Sequence, residues 1–478
     1  MTAWRSAFSP PGRLIVSGMV AALLSGCASF SPDGGFSTVE QTVQDRIGKE
    51  VRWARSDSDR ALIDQRVGEL LARPLSIDDA VQLSLLNNRV LQAAFFELGI
   101  SESELVAAGR LPNPGFSFSR LTRGDEVEIE RGLHLNLARL LAMPLLQEVA
   151  SRRFAQAQAL AALNVLSLAA ETRKAWVLAV AAGESVRYSG QVMQAAEASA
   201  ELARRMAQVG NFNKLQQARE QSFYADAAQA LAKAQRAHAA ARERLTRLLG
   251  LWGAQTAYRL PERLPDLPAS PREQPDIERL ALAQRLDVQG ARLAVEQTAS
   301  HLGLTQATRF INVLELGYQY NSSNQEPTQR GWEVAFELPL FDFGTARIAR
   351  AETIYAQALN RAAETAINAR SEVREAYGSY RAAWDIAKHQ RDEIVPLRQR
   401  IAEENLLRYN GMLIGVFELL ADARAQIASV DGAIAALRDF WLAQADLDMA
   451  LVGKPNLSAA MALATPSGAA AGPAGAGH

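Results

Sequence analysis

Few side chains in this 478-residue chain are spaced for chemistry, and most of those are carboxylates. Glu418 and Asp422 stand one helical turn apart, just past a Gly-containing turn. Glu128, Glu130, Glu315, Glu333 and Glu337 fall on the polar positions of runs that alternate apolar with polar. Acids gathered on one face concentrate negative potential and favour cations. For Glu418 and Asp422 a solvated helix face is the other reading. The single cysteine, Cys27, follows Leu24-Ser25-Gly26. The histidines, His134, His238, His301, His389 and His478, show no metal-ligand spacing. No Gly-rich phosphate loop opens a helix. Met206 and Met412, near two turns, read as packing residues rather than a metal relay. No catalytic, metal or cofactor site is expected, so the chain reads as a non-enzyme.

The formal net charge of −1, with no Lys/Arg-rich run, argues against a nucleic-acid partner. Arg5 and Arg13 precede an apolar run, Leu14 to Leu24, too short to span a membrane. This is the pattern of a secretory signal over residues 1–26. Its end resembles a bacterial lipobox, which implies cleavage before Cys27 and lipidation of its thiol, palmitate included. Ala28, where an Asp would favour inner-membrane retention, points to the outer membrane. Two or more acyl chains anchor stably where one does not. Beyond the N-terminus no run of 18 apolar residues occurs, so any further crossing requires a closed β-barrel.

The elements that position these residues repeat. Val209 to Gln221 reads VGNFNKLQQAREQ, and Ile414 to Gln426 reads IGVFELLADARAQ. Each is a turn between long Ala-rich helical stretches, which predicts a duplicated unit with two helical tips. After a leader over 27–74, with one short helix near 38–47, the first repeat covers 75–250. Its helix starts at the N-cap Ser76 and runs to about Gly109. Strands follow at about 114–137, then a long helix from about Pro144 to Gln208, the tip, and a helix closed by Gly250. A Pro-rich linker spans 251–275. The second repeat covers 276–453, with a helix from Ile277 to about Gln306 and strands at about 313–340. Its long helix runs to about Asn410 with a kink at Pro396. The seams are Val373, Tyr380 and Trp384, and Ile427, Ile434 and Trp441. A low-complexity tail occupies 454–478.

The fold class is mainly α with a small β portion. Each hairpin is apolar on one side, fit to face lipid with a wet lumen behind it. An amphipathic hairpin packed on a soluble core has the same pattern. Four strands cannot close a membrane barrel, for which about eight is the lower limit. Two, three or four copies would therefore be needed.

The lipobox cysteine, the duplicated order, Pro339-Leu340-Phe341-Asp342-Phe343-Gly344 and the paired tips resemble the TolC family of outer-membrane efflux proteins. The resemblance covers about Leu75 to Gly453. It implies a homotrimer whose twelve-stranded barrel continues as a long α-helical tunnel into the periplasm. It further implies a periplasmic adaptor docking on Val209, Gly210, Phe212, Ile414, Gly415 and Phe417. An inner-membrane pump, such as an RND transporter, would deliver substrate, and Glu418 and Asp422 would ring the periplasmic mouth. Arg139 to Pro144 departs from the PLFDFG-like pattern. The rival readings are a periplasmic adaptor with a coiled-coil hairpin and a lipid-anchored envelope enzyme.

Overall fold

The structure, a computed structural model, describes residues 28–310 and 313–455. Residues 1–26, where a signal is expected, Cys27 with its expected lipid, and residues 456–478 lie outside the described residues. The first half of the chain contains α1 (Phe36–Ile47), α2 (Asp57–Leu71), α3 (Ile77–Asn87) and α4 (Arg89–Ala108). It continues with β1 (Gly115–Arg123), β2 (Glu126–Asn136), α5 (Leu137–Gln208) and α6 (Lys214–Leu249). The second half contains α7 (Ile277–Gln284), α8 (Leu286–Ala307), β3 (Leu314–Ser323) and β4 (Gln329–Phe336). It ends with α9 (Thr345–His389), α10 (Val395–Asn410) and α11 (Val416–Val452). The order helix pair, hairpin, long helix, closing helix thus occurs twice. The chain divides into two compact units. One comprises Ala94–Ala161 and Gln289–Thr365 with the described residues up to Val39; the other comprises Glu40–Ala93, Ala162–Val288 and the described residues from Ala366.

The first unit holds one sheet, ordered β1-β2-β3-β4. Every neighbour pair is antiparallel. β2 and β3 belong to different repeats yet pair from Glu128↔Ser323 to Asn136↔Glu315. The two expected hairpins are therefore one four-stranded sheet. β4 stops at Phe336 rather than near residue 340. Pro339 has no N–H for the ladder, so the alternation of Leu338 and Leu340 runs on in sequence but not as strand. The first long helix begins at Leu137, directly after β2, and not at Pro144. Asn136 Oδ1 accepts from the Arg139 N–H at 2.8 Å and caps it. Pro144 lies inside the helix. Its missing N–H is the local cost of starting early. The 72 residues of α5 extend about 108 Å at the α-helical rise.

In the second unit, the two helices expected to run unbroken into the strands are each interrupted. Asn88 has ψ 121° and Arg285 has ψ 125°, both extended. The breaks fall at matching places of the two repeats, and both serve to cap a helix end. Asn87 Nδ2 donates to the Leu249 and Gly250 carbonyls at 3.0 and 2.8 Å, and Asn88 Nδ2 to Leu248 at 2.9 Å. Arg285 Nη1 donates to the Ala450 carbonyl at 3.4 Å. Its guanidinium also holds Asp287 and Glu372 at 2.6 and 2.7 Å. Last-turn carbonyls lack intrahelical partners, so a buried helix end needs such donors.

The predicted seam of Val373, Tyr380 and Trp384 is buried against Phe440, Ala443 and Leu447. A second core surrounds Trp176, which donates Nε1–H to the Leu75 carbonyl at 2.9 Å. The Pro-rich linker is fastened rather than loose. Trp384 and Trp441 donate to the Pro268 and Pro265 carbonyls, each at 3.0 Å, and the Arg272 N–H donates to Tyr380 Oη at 2.9 Å. Lys174 is buried between Glu171 and Asp446 at 2.9 and 3.0 Å. Burial raises the Asp446 carboxyl above its ordinary pKa, and the Lys174 charge offsets part of that. The expected distortion near Pro396 is a π turn over Gln390–Ile394, ahead of α10. The wider turn relieves the clash of the Pro396 ring with the carbonyl four residues earlier. The leader contains a helix that hydrophobic periodicity alone does not announce: α2, opened by a Ser56–Asp59 capping box.

Gly250 closes α6 in the left-handed conformation, φ 66°. A Cβ there would stand 2.7 Å from the Asn87 carbonyl oxygen. Gly250→Val should lower unfolding stability by about 2 kcal/mol or more, combining left-handed strain with the clash. An unchanged thermal midpoint would contradict the tight junction between α3 and α6.

Candidate functional site

Strand register decides which side each barrel acid takes. Residues directly opposite share a face, and successive residues alternate. Ser119↔Glu130↔Asn321 forms one row, and Asn136↔Glu315↔Ala335 forms another. Gly317↔Glu333 lies between them. Glu128, Glu130, Glu315 and Glu333 therefore lie on one face, with Ser117, His134 and Gln319. Gln319 Nε2 donates to Glu333 Oε2 at 2.5 Å. Glu337 is one residue past β4, but its N–H bonds the Val313 carbonyl at 3.3 Å and keeps the two-residue step.

The opposite face carries Phe116, Ile129, Leu133, Leu135, Leu316, Tyr318, Trp332, Val334 and Phe336. It stays open: Phe116 is 70%, Trp332 74% and Phe336 62% exposed. Among the described residues of the first unit, no element covers these three side chains.

The two tips lie in the second unit and differ more than their sequences do. In the first, Val209 and Gly210 are exposed and Phe212 is half-buried. Gly210 turns the chain at φ 83°, and the Asn211 and Phe212 N–H groups both donate to the Met206 carbonyl at 2.9 and 3.2 Å. Asn213 then opens α6 through a capping box with Gln216. In the second tip, Gly415, which aligns with Gly210, is instead the residue that opens α11, at φ −84°. The left-handed residue there is Met412, φ 58°. The turn spans 411–415, so Phe417 already belongs to the first turn of α11, while Ile414 is half-buried beside the opening residue. Met412, expected to pack, is 93% exposed, and Leu413 is 78% exposed. These two apolar tip residues are the ones that the repeat alignment overlooks, because it centres on Gly415.

Glu418 and Asp422 are likewise separated in role. Glu418 is exposed. Asp422 is half-buried and accepts a hydrogen bond from Asn405 Nδ2 across its own hairpin. A polar clip joins the two hairpins just beyond the tips. Glu220 of α6, its side chain 2% exposed, pairs with Arg424 of α11 at 3.0 Å. Ser199 Oγ of α5 donates to the other carboxylate oxygen at 2.9 Å. The Arg424 guanidinium also stacks 4.3 Å from the Phe223 ring centroid. The repeat aligns Arg424 with Arg219, an exposed residue, and so gives no hint of this pairing. Nearby, Tyr188 donates its hydroxyl to the Ile427 carbonyl at 3.4 Å. Burial, together with the Asp431 charge, pushes that phenol up to about 12.

Long paired helices carrying an open, two-faced antiparallel sheet define a class of fold, and solved structures of that class are outer membrane channels. The Campylobacter jejuni CmeC outer membrane channel superposes with a TM-score of 0.68 at 17% identity, covering 78% of this chain and 85% of that one. The open state of the Neisseria gonorrhoeae MtrE outer membrane channel gives 0.65 at 18% identity, over 79% and 89%. CusC, studied for its folding and transmembrane channel formation, gives 0.65 at 16% identity, over 79% and 92%. No protein-family model matches the chain, and no curated protein sequence matches it. The chain has the fold of the outer membrane channels, as the TolC-family resemblance implies.

Glu220 is buried, but Arg424 reaches solvent and Ser199 still donates to the carboxylate. Removing Arg424 while the hairpins stay closed therefore costs less than breaking a fully buried pair, about 1–3 kcal/mol. Arg424→Ala should therefore speed amide hydrogen exchange in residues 199–224 and 416–428, with exchange at the sheet unchanged. Identical exchange in both proteins would show that the clip does not hold the tips.

Proposed function

We propose that this chain is the outer-membrane channel of a tripartite efflux system, a passive exit duct for small molecules or ions. One observation carries the reading: a four-stranded sheet with an exposed apolar face, an acidic face and two free edges. Backbone groups on a free edge have no partner in hydrocarbon. Three copies joined edge to edge supply twelve strands and a closed barrel, the acidic faces lining its lumen. The helices that leave the strands then form the tunnel, of which α5 alone provides about 108 Å. Cys27 carries the lipid anchor after removal of residues 1–26.

The tips are the proposed gate and docking site. Val209, Gly210 and Phe212 in one hairpin, and Ile414, Gly415 and Phe417 in the other, meet a periplasmic adaptor. The exposed Met412 and Leu413 extend that apolar surface. Adaptor contact opens the mouth by separating the hairpins that Glu220 and Arg424 hold. Substrate and driving energy come from an inner-membrane pump. Glu418 supplies negative potential at the mouth, with Asp422 behind it.

Gel migration of the outer-membrane fraction tests the assembly. A trimer band that collapses to monomer on boiling supports the duct, and a soluble monomer rejects it. Val334→Arg, on the lipid side, should cost about 2–4 kcal/mol if it lies at mid-bilayer and deplete the trimer. Gln319→Arg, on the lumen side, should assemble normally; equal effects would reject the assignment of faces. In planar bilayers, Glu418→Ala with Asp422→Ala should reduce cation preference. An unchanged reversal potential would remove the acids from the conduction path.

A further inference from the structure

Three arginines interrupt the apolar face of the sheet. Phe118↔Arg131↔Tyr320↔Arg330 forms one row across all four strands. Arg120↔Ile129↔Ser322 forms the next row toward the turns. The guanidiniums of Arg131 and Arg330 flank the Tyr320 ring, 5.6 and 5.4 Å from its centroid. Arg131 Nη1 also donates to Ser322 Oγ at 3.3 Å. Among the described residues no carboxylate shares this face of the strands; Glu128, Glu130, Glu315 and Glu333 are all on the other side. Arg120 and Arg330 are exposed and Arg131 is half-exposed.

The position of the cluster along the strands identifies its partner. Arg330 to Phe336 is six residues of strand, about 20 Å at the antiparallel rise. The arginines thus stand at the turn-side edge of the apolar band. Directly below them Tyr318 packs on Trp332, ring centroids 5.0 Å apart, the kind of aromatic pair that sits at a membrane interface. A lipid-facing arginine is costly at mid-bilayer and nearly free at the interface. Three together without an acid leave a positive site open on the lipid side. Guanidinium forks match phosphate oxygens in pairs.

We propose that Arg120, Arg131 and Arg330 bind the phosphate groups of a phosphorylated lipid in the outer leaflet. Its acyl chains lie along Phe118, Tyr318 and Trp332. This rests on the channel reading, in which the turns of the sheet face outward.

The test uses full-length protein in phosphatidylcholine nanodiscs, with binding of diphosphorylated lipid A measured against its dephosphorylated form. The wild type should prefer the phosphorylated lipid by at least about tenfold, and R120Q/R131Q/R330Q should lose that preference. Conductance of the variant in phosphatidylcholine should equal that of the wild type. Equal binding of the two lipids, or an unaffected variant, overturns the proposal while the channel reading stands. Inorganic phosphate at millimolar concentration displacing the lipid completely would reveal a simple anion site and also overturn it. Failure of the wild type to insert into any bilayer overturns the channel reading and this site with it. Should the triple variant not assemble, the wild-type preference between the two lipids decides alone.

Discussion

A peptide N–H or C=O that meets hydrocarbon without a partner costs several kcal/mol. The sheet presents two such rows, along the outer edges of β1 and β4. Its apolar face makes contact with lipid favourable, while its edges make a single copy in lipid unfavourable. Only pairing of edges satisfies both conditions. The duplication has already done half of this within the chain, since β2 and β3 meet across the repeat boundary as a regular antiparallel pair. On the proposed reading, β1 of one copy and β4 of the next repeat that solution between chains. On that reading the acids need no buried partners, because they line water once the cylinder is closed.

In the second unit the corresponding difficulty is the end of a helix. α6 and α11 both finish in packed surroundings, where unpaired carbonyls would be as expensive as a bare strand edge. Each repeat breaks the helix that approaches its strands and turns a side chain back onto those carbonyls. The first repeat uses the amides of Asn87 and Asn88, and the second uses the guanidinium of Arg285. A neutral amide needs nothing further. A buried arginine needs counter-charges, which Asp287 and Glu372 supply. Two copies of one fold have met the same requirement with different chemistry, which is why the break left no shared sequence mark.

This governs what could be read in advance. Period-two alternation located all four strands within a few residues, and the apolar side with them, because a one-residue slip would invert every side chain. Heptad spacing located the Tyr380–Trp384 seam. The helix breaks at Asn88 and Arg285 escaped because neither residue is a glycine or proline; long-range capping, invisible locally, sets them. Starting α5 at Leu137 escaped because Pro144 is the louder signal, while Asn136 is a quiet cap. The tips were located but misaligned. Matching Gly210 to Gly415 equates a left-handed turn residue with a helix-opening residue in extended conformation, and a glycine letter cannot tell the two apart. The Glu220–Arg424 clip joins residues 204 positions apart and follows from no periodicity at all.

On the proposed reading, that clip also bears on how the mouth opens. Glu220 is buried while Arg424 is 38% exposed, so desolvation falls mainly on the carboxylate and offsets much of its attraction to the guanidinium. The usual comparison removes one partner and leaves the other dry. Separation of two hairpins is a different process, since the gap that parts Glu220 from Arg424 also admits water to the carboxylate, while the guanidinium already reaches solvent. The carboxylate and the guanidinium exchange each other for hydration, and Ser199 remains as a polar neighbour in the first hairpin. Parting the pair then costs less than removing Arg424 from a closed mouth, because Glu220 gains water as it loses the guanidinium. A hydrophobic contact of the same area would lack this property, because hydration of its apolar surface returns nothing. On the proposed reading, a modest binding energy at Met412, Leu413 and the neighbouring tip residues is enough to tip the balance, and the mouth closes again when the partner leaves.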